Sequence, residues 1–251
     1  MRSSRFALFG LLAVSLLVPA RGADQPTQKP KYLILTTYHV KPSAEADFAD
    51  LLKNKWMPAM KKGGASPRIY SMSGAGGRAA TFVISSTTDS LSLFDGKTAL
   101  VKGAGEGDAA RMIAQRSQLI DDRTVTILRR REEMSVYPET LTNSPLLLVQ
   151  HVKAAPGKNQ EFIALWKSEV LSAVKKSGVT VSTWSVILGD ESHFSMTIPL
   201  SSYADLDKGV SAAQMSMTPE EYERFNVKIG PLFTSLHREV LRLRTDLMGL
   251  Q

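Results

Sequence analysis

Two kinds of hydrophobic spacing follow one another along the chain, and the succession occurs twice. Apolar and β-branched runs of strand length stand at "YLILTTYHV" (32–40) and "LLLVQHV" (146–152). Helical spacing follows each: Phe48, Leu51, Leu52 and Trp56 in the first place, Phe162, Leu165, Trp166 and Val170 in the second. Shorter runs then flank a turn, "TFVI" (81–84) closing the first hairpin and "SMTI" (195–198) the second. A second helix is plain in the later copy. Thr218 caps it, Pro219 takes its first turn, Glu221 completes a capping box, and Tyr222, Phe225, Ile229, Leu232, Phe233 and Leu236 share a face that Gly230 and Pro231 divide. Its counterpart, "VKGAGEGDAA" (101–110), is so rich in glycine that it reads as a loop. Each copy ends on a strand, "TVTILRR" (124–130) and "REVLRLR" (238–244).

The two copies align by residue as well as by pattern. At an offset of 114, eight of 23 positions are identical between "PSAEADFADLLKNKWMPAMKKGG" (42–64) and "PGKNQEFIALWKSEVLSAVKKSG" (156–178). Carried forward without a gap, that offset pairs Tyr70 with Trp184 and Arg130 with Arg244. Each copy reads β-α-β-β-α-β, the ferredoxin-like order. Its four-stranded sheet has helices on one face only, so the other face needs a cover. The fold expected is therefore α+β: two tandem ferredoxin-like repeats, residues 32–131 and 146–248, packed sheet to sheet as a pseudo-dimeric α+β barrel. Segments 24–31 and 132–145 read as linkers, the latter from Pro138, Pro145 and an absence of period.

Residues 1–23 stand apart. Arg2 and Arg5 precede the apolar run "FALFGLLAVSLLVPA" (6–20), and small residues near 20–23 offer cleavage sites, the pattern of a secretory signal peptide. A secreted or periplasmic protein is expected, with no membrane span in its mature part. Removing that segment takes Arg2, Arg5 and Arg21, so a net charge of +7 falls to +4. So mild a balance, without basic–aromatic clusters, gives no reason to expect a nucleic-acid partner. With no cysteine, disulfides, thiolate catalysis and Cys-ligated metals are excluded.

"PGKNQEFIALWKSEVLSAVKKSG", with "STWSVILGD" and "SSYADLDKG" after it, resembles a NIPSNAP-type domain of the dimeric α/β-barrel superfamily. The resemblance covers about residues 146–210 well and 33–97 loosely. It departs at the first strand, where the family often carries Glu and Arg and this chain has "LLLVQHV". The resemblance implies the fold and no universal catalytic set.

Chemistry is sparse. In "SMSGAGGRAATFVI" (71–84), Gly74, Gly76 and Gly77 suggest a phosphate loop, but a strand follows where such a loop needs a helix N-terminus, so a hairpin turn is expected. There is no HExxH, GxSxG, Walker or EF-hand motif, and His39, His151, His193 and His237 are too scattered to predict a metal site. Strand alternation puts Leu35, Thr37 and His39 on one face, with Val149, His151 and Lys153 as partners. With Arg130, Arg242 and Arg244 turned the same way, and Tyr70, Trp184 and His193 as walls, they would line a basic cavity suited to an anion. The plainer alternatives are core-rim histidines bonded to their neighbours and arginines guarding a solvated strand edge. No cofactor is expected; haem on His151 or His193 is the one considered from the superfamily.

These features suggest an exported, non-catalytic module binding a small anionic or aromatic ligand between the sheets, open to homo-oligomer formation. The alternative is a cofactor-independent oxygenase, isomerase or decarboxylase with His151 or His39 as base.

Overall fold

The computed structural model describes residues 30–72, 80–137, 144–188 and 190–249. The expected signal peptide, most of the first linker, the glycines of the hairpin turn and residues 138–143 of the second linker lie outside them.

The first half runs β1 (Tyr32–Val40), α1 (Glu45–Leu51), α2 (Met57–Lys62), β2 (Arg68–Met72), β3 (Thr81–Thr88), α3 (Ala99–Ala104), α4 (Glu106–Leu119) and β4 (Ile120–Arg130). The second runs β5 (Leu146–Ala154), α5 (Asn159–Leu165), α6 (Leu171–Ser177), β6 (Ser182–Val186), β7 (His193–Leu200), α7 (Ala212–Ser216), α8 (Pro219–Ile229) and β8 (Phe233–Leu243), and a short α9 (Thr245–Met248) follows. The strands close into one antiparallel barrel in the order β1-β3-β2-β8-β5-β7-β6-β4. Each half thus supplies a sheet of ferredoxin-like order, and the seams are β2 against β8 and β4 against β6. Closure leaves no free sheet edge and encloses the face that each sheet's helices do not cover.

The repeat is faithful down to its irregularities. In both halves the first helix contains a π-helical turn, Leu52–Trp56 and Trp166–Val170, at the same offset of 114. Both first helices bury an apolar stripe on the outer face of their sheet, Phe48 with Leu51 and Leu52, Phe162 with Trp166 and Val170. The offset does not persist, however. β3 and β7 differ by 112, and β4 and β8 by 113. Leu35 accordingly opposes Thr126 while its equivalent Val149 opposes Glu239. Loop lengths between strands are free to vary where the core does not fix them, and here the second hairpin connection is two residues shorter than the first. Arg130 is therefore equivalent to Leu243 rather than to Arg244.

Two local expectations change. The glycine-rich 101–110 stretch is helical: Thr98 caps α3, and Gly105, at φ +83°, breaks it from α4. The capping box at Thr218 and Glu221 is formed, but the helix stops at Ile229, so Phe233 and Leu236 belong to β8.

The chain also exchanges ends between its halves. After β4, Met134 inserts into the second half's core, where its carbonyl accepts bonds from Trp166 Nε1 at 3.0 Å and Thr183 Oγ1 at 2.9 Å. After β8, Leu247 and Met248 insert into the first half's core, and Arg244 N–H donates to the Ile69 carbonyl at 2.9 Å. Each half is completed by the other's tail.

Candidate functional site

A cavity of about 330 Å³ lies between the two sheets. Its walls are the inward residues of the first strands, Leu33, Leu35 and Thr37 from β1 and Leu147, Val149 and His151 from β5, as alternation predicted. Outward residues of the same strands, such as Tyr38 and Leu148, pack beneath the helices.

Cross-strand register sorts the lining residues and their strand neighbours into rows. On the second sheet, His237, His151, Ser195 and Trp184 stand directly opposite one another across β8, β5, β7 and β6, and Arg130 of β4 continues the row across the seam. The next row on that sheet is Glu239, Val149, Thr197 and Ser182. On the first sheet the corresponding rows are Thr124, Thr37, Val83, Tyr70 and Leu243, then Thr126, Leu35, Ser85 and Arg68. The titratable groups are unevenly divided: two histidines and a carboxylate on one sheet, His151, His237 and Glu239, stand where the other has Thr37, Thr124 and Thr126.

His151 and Glu239 form the chemical centre. The His151 Nε2 lies 3.2 Å from Glu239 Oε1, and the Glu239 side chain is only 11% exposed. His237, more exposed, approaches the other carboxylate oxygen at 3.7 Å, and its ring stacks against His151 with centroids 6.1 Å apart. A neutral imidazole that donates Nε2–H to this carboxylate keeps its lone pair on Nδ1, and the carboxylate stabilises the imidazolium formed when that atom takes a proton.

Arg130 is buried among fixed partners. Its Nε donates to Tyr137 Oη, one terminal nitrogen pairs with Glu132 at 3.0 Å and the other reaches the Pro30 carbonyl at 3.4 Å. The guanidinium also lies 3.8 Å from the Tyr137 ring centre. Its work is to hold the segments before β1 and after β4, whose Pro30 and Tyr137 close part of the cavity. Burial raises the Tyr137 phenol pKa, offset by a hydrogen bond with Ser135 and by Arg130. Tyr70 is likewise raised by burial, offset by the charge of Arg68 and a hydrogen bond with it.

Of the residues singled out in the sequence, His151, Tyr70, Trp184 and Arg130 meet in the lining. His39 shares the inward face but sits at the strand end, its Nδ1 3.1 Å from Thr81 Oγ1. Lys153 and His193 pair with Asp190 at the rim, at 2.8 and 3.3 Å. Arg242 is exposed, and Arg244 forms a two-pronged pair with Asp246 at 2.9 and 2.8 Å. Both arginines turn away from the cavity because β8 presents its odd-numbered residues, Glu239 and Leu241, inward. The cavity is thus mixed in charge rather than basic. Sequence reasoning missed Arg68 and Glu239, which only the register of β2 and β8 could have marked. Of the two histidines considered for haem, His151 lines the cavity with its Nε2 on Glu239, and His193 lies at the rim with its Nδ1 on Asp190. Among the described residues, no group of three or more histidines and carboxylates could hold a metal ion, and no helix is long and apolar enough to cross a membrane.

No family model matches the chain, and comparison with curated proteins returns no match. Solved structures share its shape. A proposed monooxygenase from Fusobacterium nucleatum superposes with a TM-score of 0.57 at 9% identity, over 86% of this chain and 93% of that one. A proposed monooxygenase from Lactobacillus acidophilus gives 0.54 at 9% identity, over 86% and 94%. An anthrone oxidase-like protein gives 0.54 at 8% identity, over 86% and 92%. With its closed eight-stranded antiparallel barrel, the chain has the dimeric α+β-barrel fold, both halves supplied by one polypeptide.

Proposed function

We propose that the chain is an enzyme that removes a proton from a small, largely apolar molecule held between the sheets, with His151 as base and Glu239 as the carboxylate that orients it. The reaction class is that of a cofactor-independent oxygenase, isomerase or decarboxylase, in each of which loss of a proton can open the chemistry. The observation that carries the reading is the His151–Glu239 pair in the wall of an otherwise mostly apolar cavity. The proposed monooxygenases and the anthrone oxidase-like protein support it at the level of the barrel, which in those proteins is associated with oxidative activity.

The test is turnover. Phenols, aromatic acids and enolisable ketones are screened for product formation, oxygen uptake and exchange of substrate hydrogen with deuterated water. With a substrate in hand, His151→Gln and Glu239→Gln are each expected to lower kcat by about a hundredfold or more. Unchanged turnover in both variants refutes the reading. The binding-module reading draws on the apolar wall and on Trp184, which offers a face for an aromatic ring; it predicts ligand-dependent rises in Tm with no product. Export and a NIPSNAP-type kinship, expected from the sequence, complete the proposal. The export part is tested by N-terminal sequencing of the protein recovered outside the cytoplasm, expected to start near residues 21–24.

A further inference from the structure

The barrel is twofold in its fold and one-sided in its chemistry. His151 and Glu239 on the second sheet correspond to Thr37 and Thr126 on the first. In the opposite sense, Arg68 and Tyr70 on the first sheet correspond to Ser182 and Trp184 on the second. A cavity with matching halves would accept a ligand in two equivalent orientations. This one offers a base from one wall and a guanidinium from the other.

We infer that Arg68, together with Tyr70, anchors an ionised oxygen of the ligand, a carboxylate or enolate, and so presents the rest of the molecule to His151. This assignment rests on the proposed function, whose substrate class it narrows to organic anions. Two observations support it. Arg68 lines the cavity and is half-buried, so its charge acts where water is partly excluded. Tyr70 is hydrogen-bonded with Arg68, and burial keeps its phenol protonated well into alkaline solution, so its O–H remains a donor to an oxyanion. Packed sheets stand about 10 Å apart, a gap that one planar ring can bridge, its oxygen at Arg68 and its far side near His151 and Trp184. Arginine suits this task because its planar fork gives a carboxylate two parallel charge-assisted bonds.

The test uses two probes of one shape, 2-naphthoate and the neutral 2-naphthylmethanol, titrated calorimetrically against the wild-type chain, Arg68→Met and Arg68→Lys. The wild type is expected to bind the anion about tenfold or more tightly than the alcohol. Arg68→Met should erase that preference while leaving alcohol affinity within about twofold, and Arg68→Lys should keep part of it. The preference surviving in Arg68→Met, an equal loss for both probes in Arg68→Met and Arg68→Lys, or no binding of either probe to the wild type would overturn the inference. His151→Gln, titrated alongside, separates the two claims. An intact anion preference with unchanged turnover in His151→Gln and Glu239→Gln leaves the anchor standing and removes the base, and the reverse pattern removes only the anchor.

Discussion

Helices α2 and α3 approach so closely that a methyl group added at Gly103 would lie 1.8 Å from the Ala59 carbonyl oxygen. A methyl at Gly63 would meet the Ala99 oxygen at the same distance. Carbon and oxygen settle at about 3.3 Å or more, so Gly103→Ala must push the helices apart by more than an ångström. The obstructing atoms are backbone and cannot rotate away. Overpacking of this kind costs about 1–3 kcal/mol, occasionally more, and alanine's better helix propensity returns about 1 kcal/mol of it. Because the clash is with backbone, its cost belongs at the upper end of that range, about 2–3 kcal/mol, so the net expectation is a loss of about 1–2 kcal/mol, or a fall in Tm of roughly 2–8 °C for a chain of this size. Gly107 is the control: it lies in α4 with nothing within 4 Å of its added methyl. Gly107→Ala should leave stability unchanged or raise it by up to about 1 kcal/mol. Differential scanning calorimetry on both variants gives the contrast directly. A Gly103→Ala protein as stable as the wild type would refute the idea that close helix approach explains glycine in this stretch.

The remaining predictions concern the crossed tails and their charges. Leu247, 3% exposed within the first half's core, should cost about 2–5 kcal/mol when cut to alanine, and Met134→Ala in the other core should cost a similar amount, both measured by urea unfolding; losses below 1 kcal/mol would mean the tails only rest on the surface. The hydrogen bonds from Arg244 hold the Asp246 carboxyl below its usual pKa range. A lowered carboxyl pKa stabilises the fold above the unfolded value of about 4 and ceases to do so as pH falls through the lowered folded value. The Tm advantage of the wild type over Asp246→Asn should therefore hold steady above about pH 5 and close progressively below pH 4; a gap that persists at pH 2 would count against the pair as its source.

The fold was legible because both periods are strong where burial is one-sided. β1 and the two first helices each pack one face, so Phe48 or Phe162 cannot move without exposing apolar surface. What escaped the sequence was register. The offset of 114 comes from the first helices, where the two copies match, but nothing hydrophobic fixes the length of the hairpin turns or the path from β3 to β4. A one-residue slip between β4 and β8 exchanges the faces of a strand, which moved Arg244 out of the cavity and brought Glu239 in. Likewise the glycines at 103 and 105 looked like a loop, when one serves a close helix contact and the other a positive φ. His151 was found because its strand needed no offset, being read from alternation alone.

Joining two copies in one chain is what would let a duplicated barrel hold the directed site proposed above. In a symmetric homodimer every lining residue appears twice, related by the axis, so a base on one wall brings the same base on the other. Joining the halves in one chain removes the constraint. Position 37 can be threonine while position 151 is histidine, and position 68 can be arginine while position 182 is serine. The halves still need each other sterically, since each core is finished by the opposite tail and each sheet seals the other's open face. Sequence change is therefore restrained on the helix-facing side of the strands and freer on the cavity side, where Thr37 and His151, or Thr126 and Glu239, occupy equivalent places without disturbing the pairing around them.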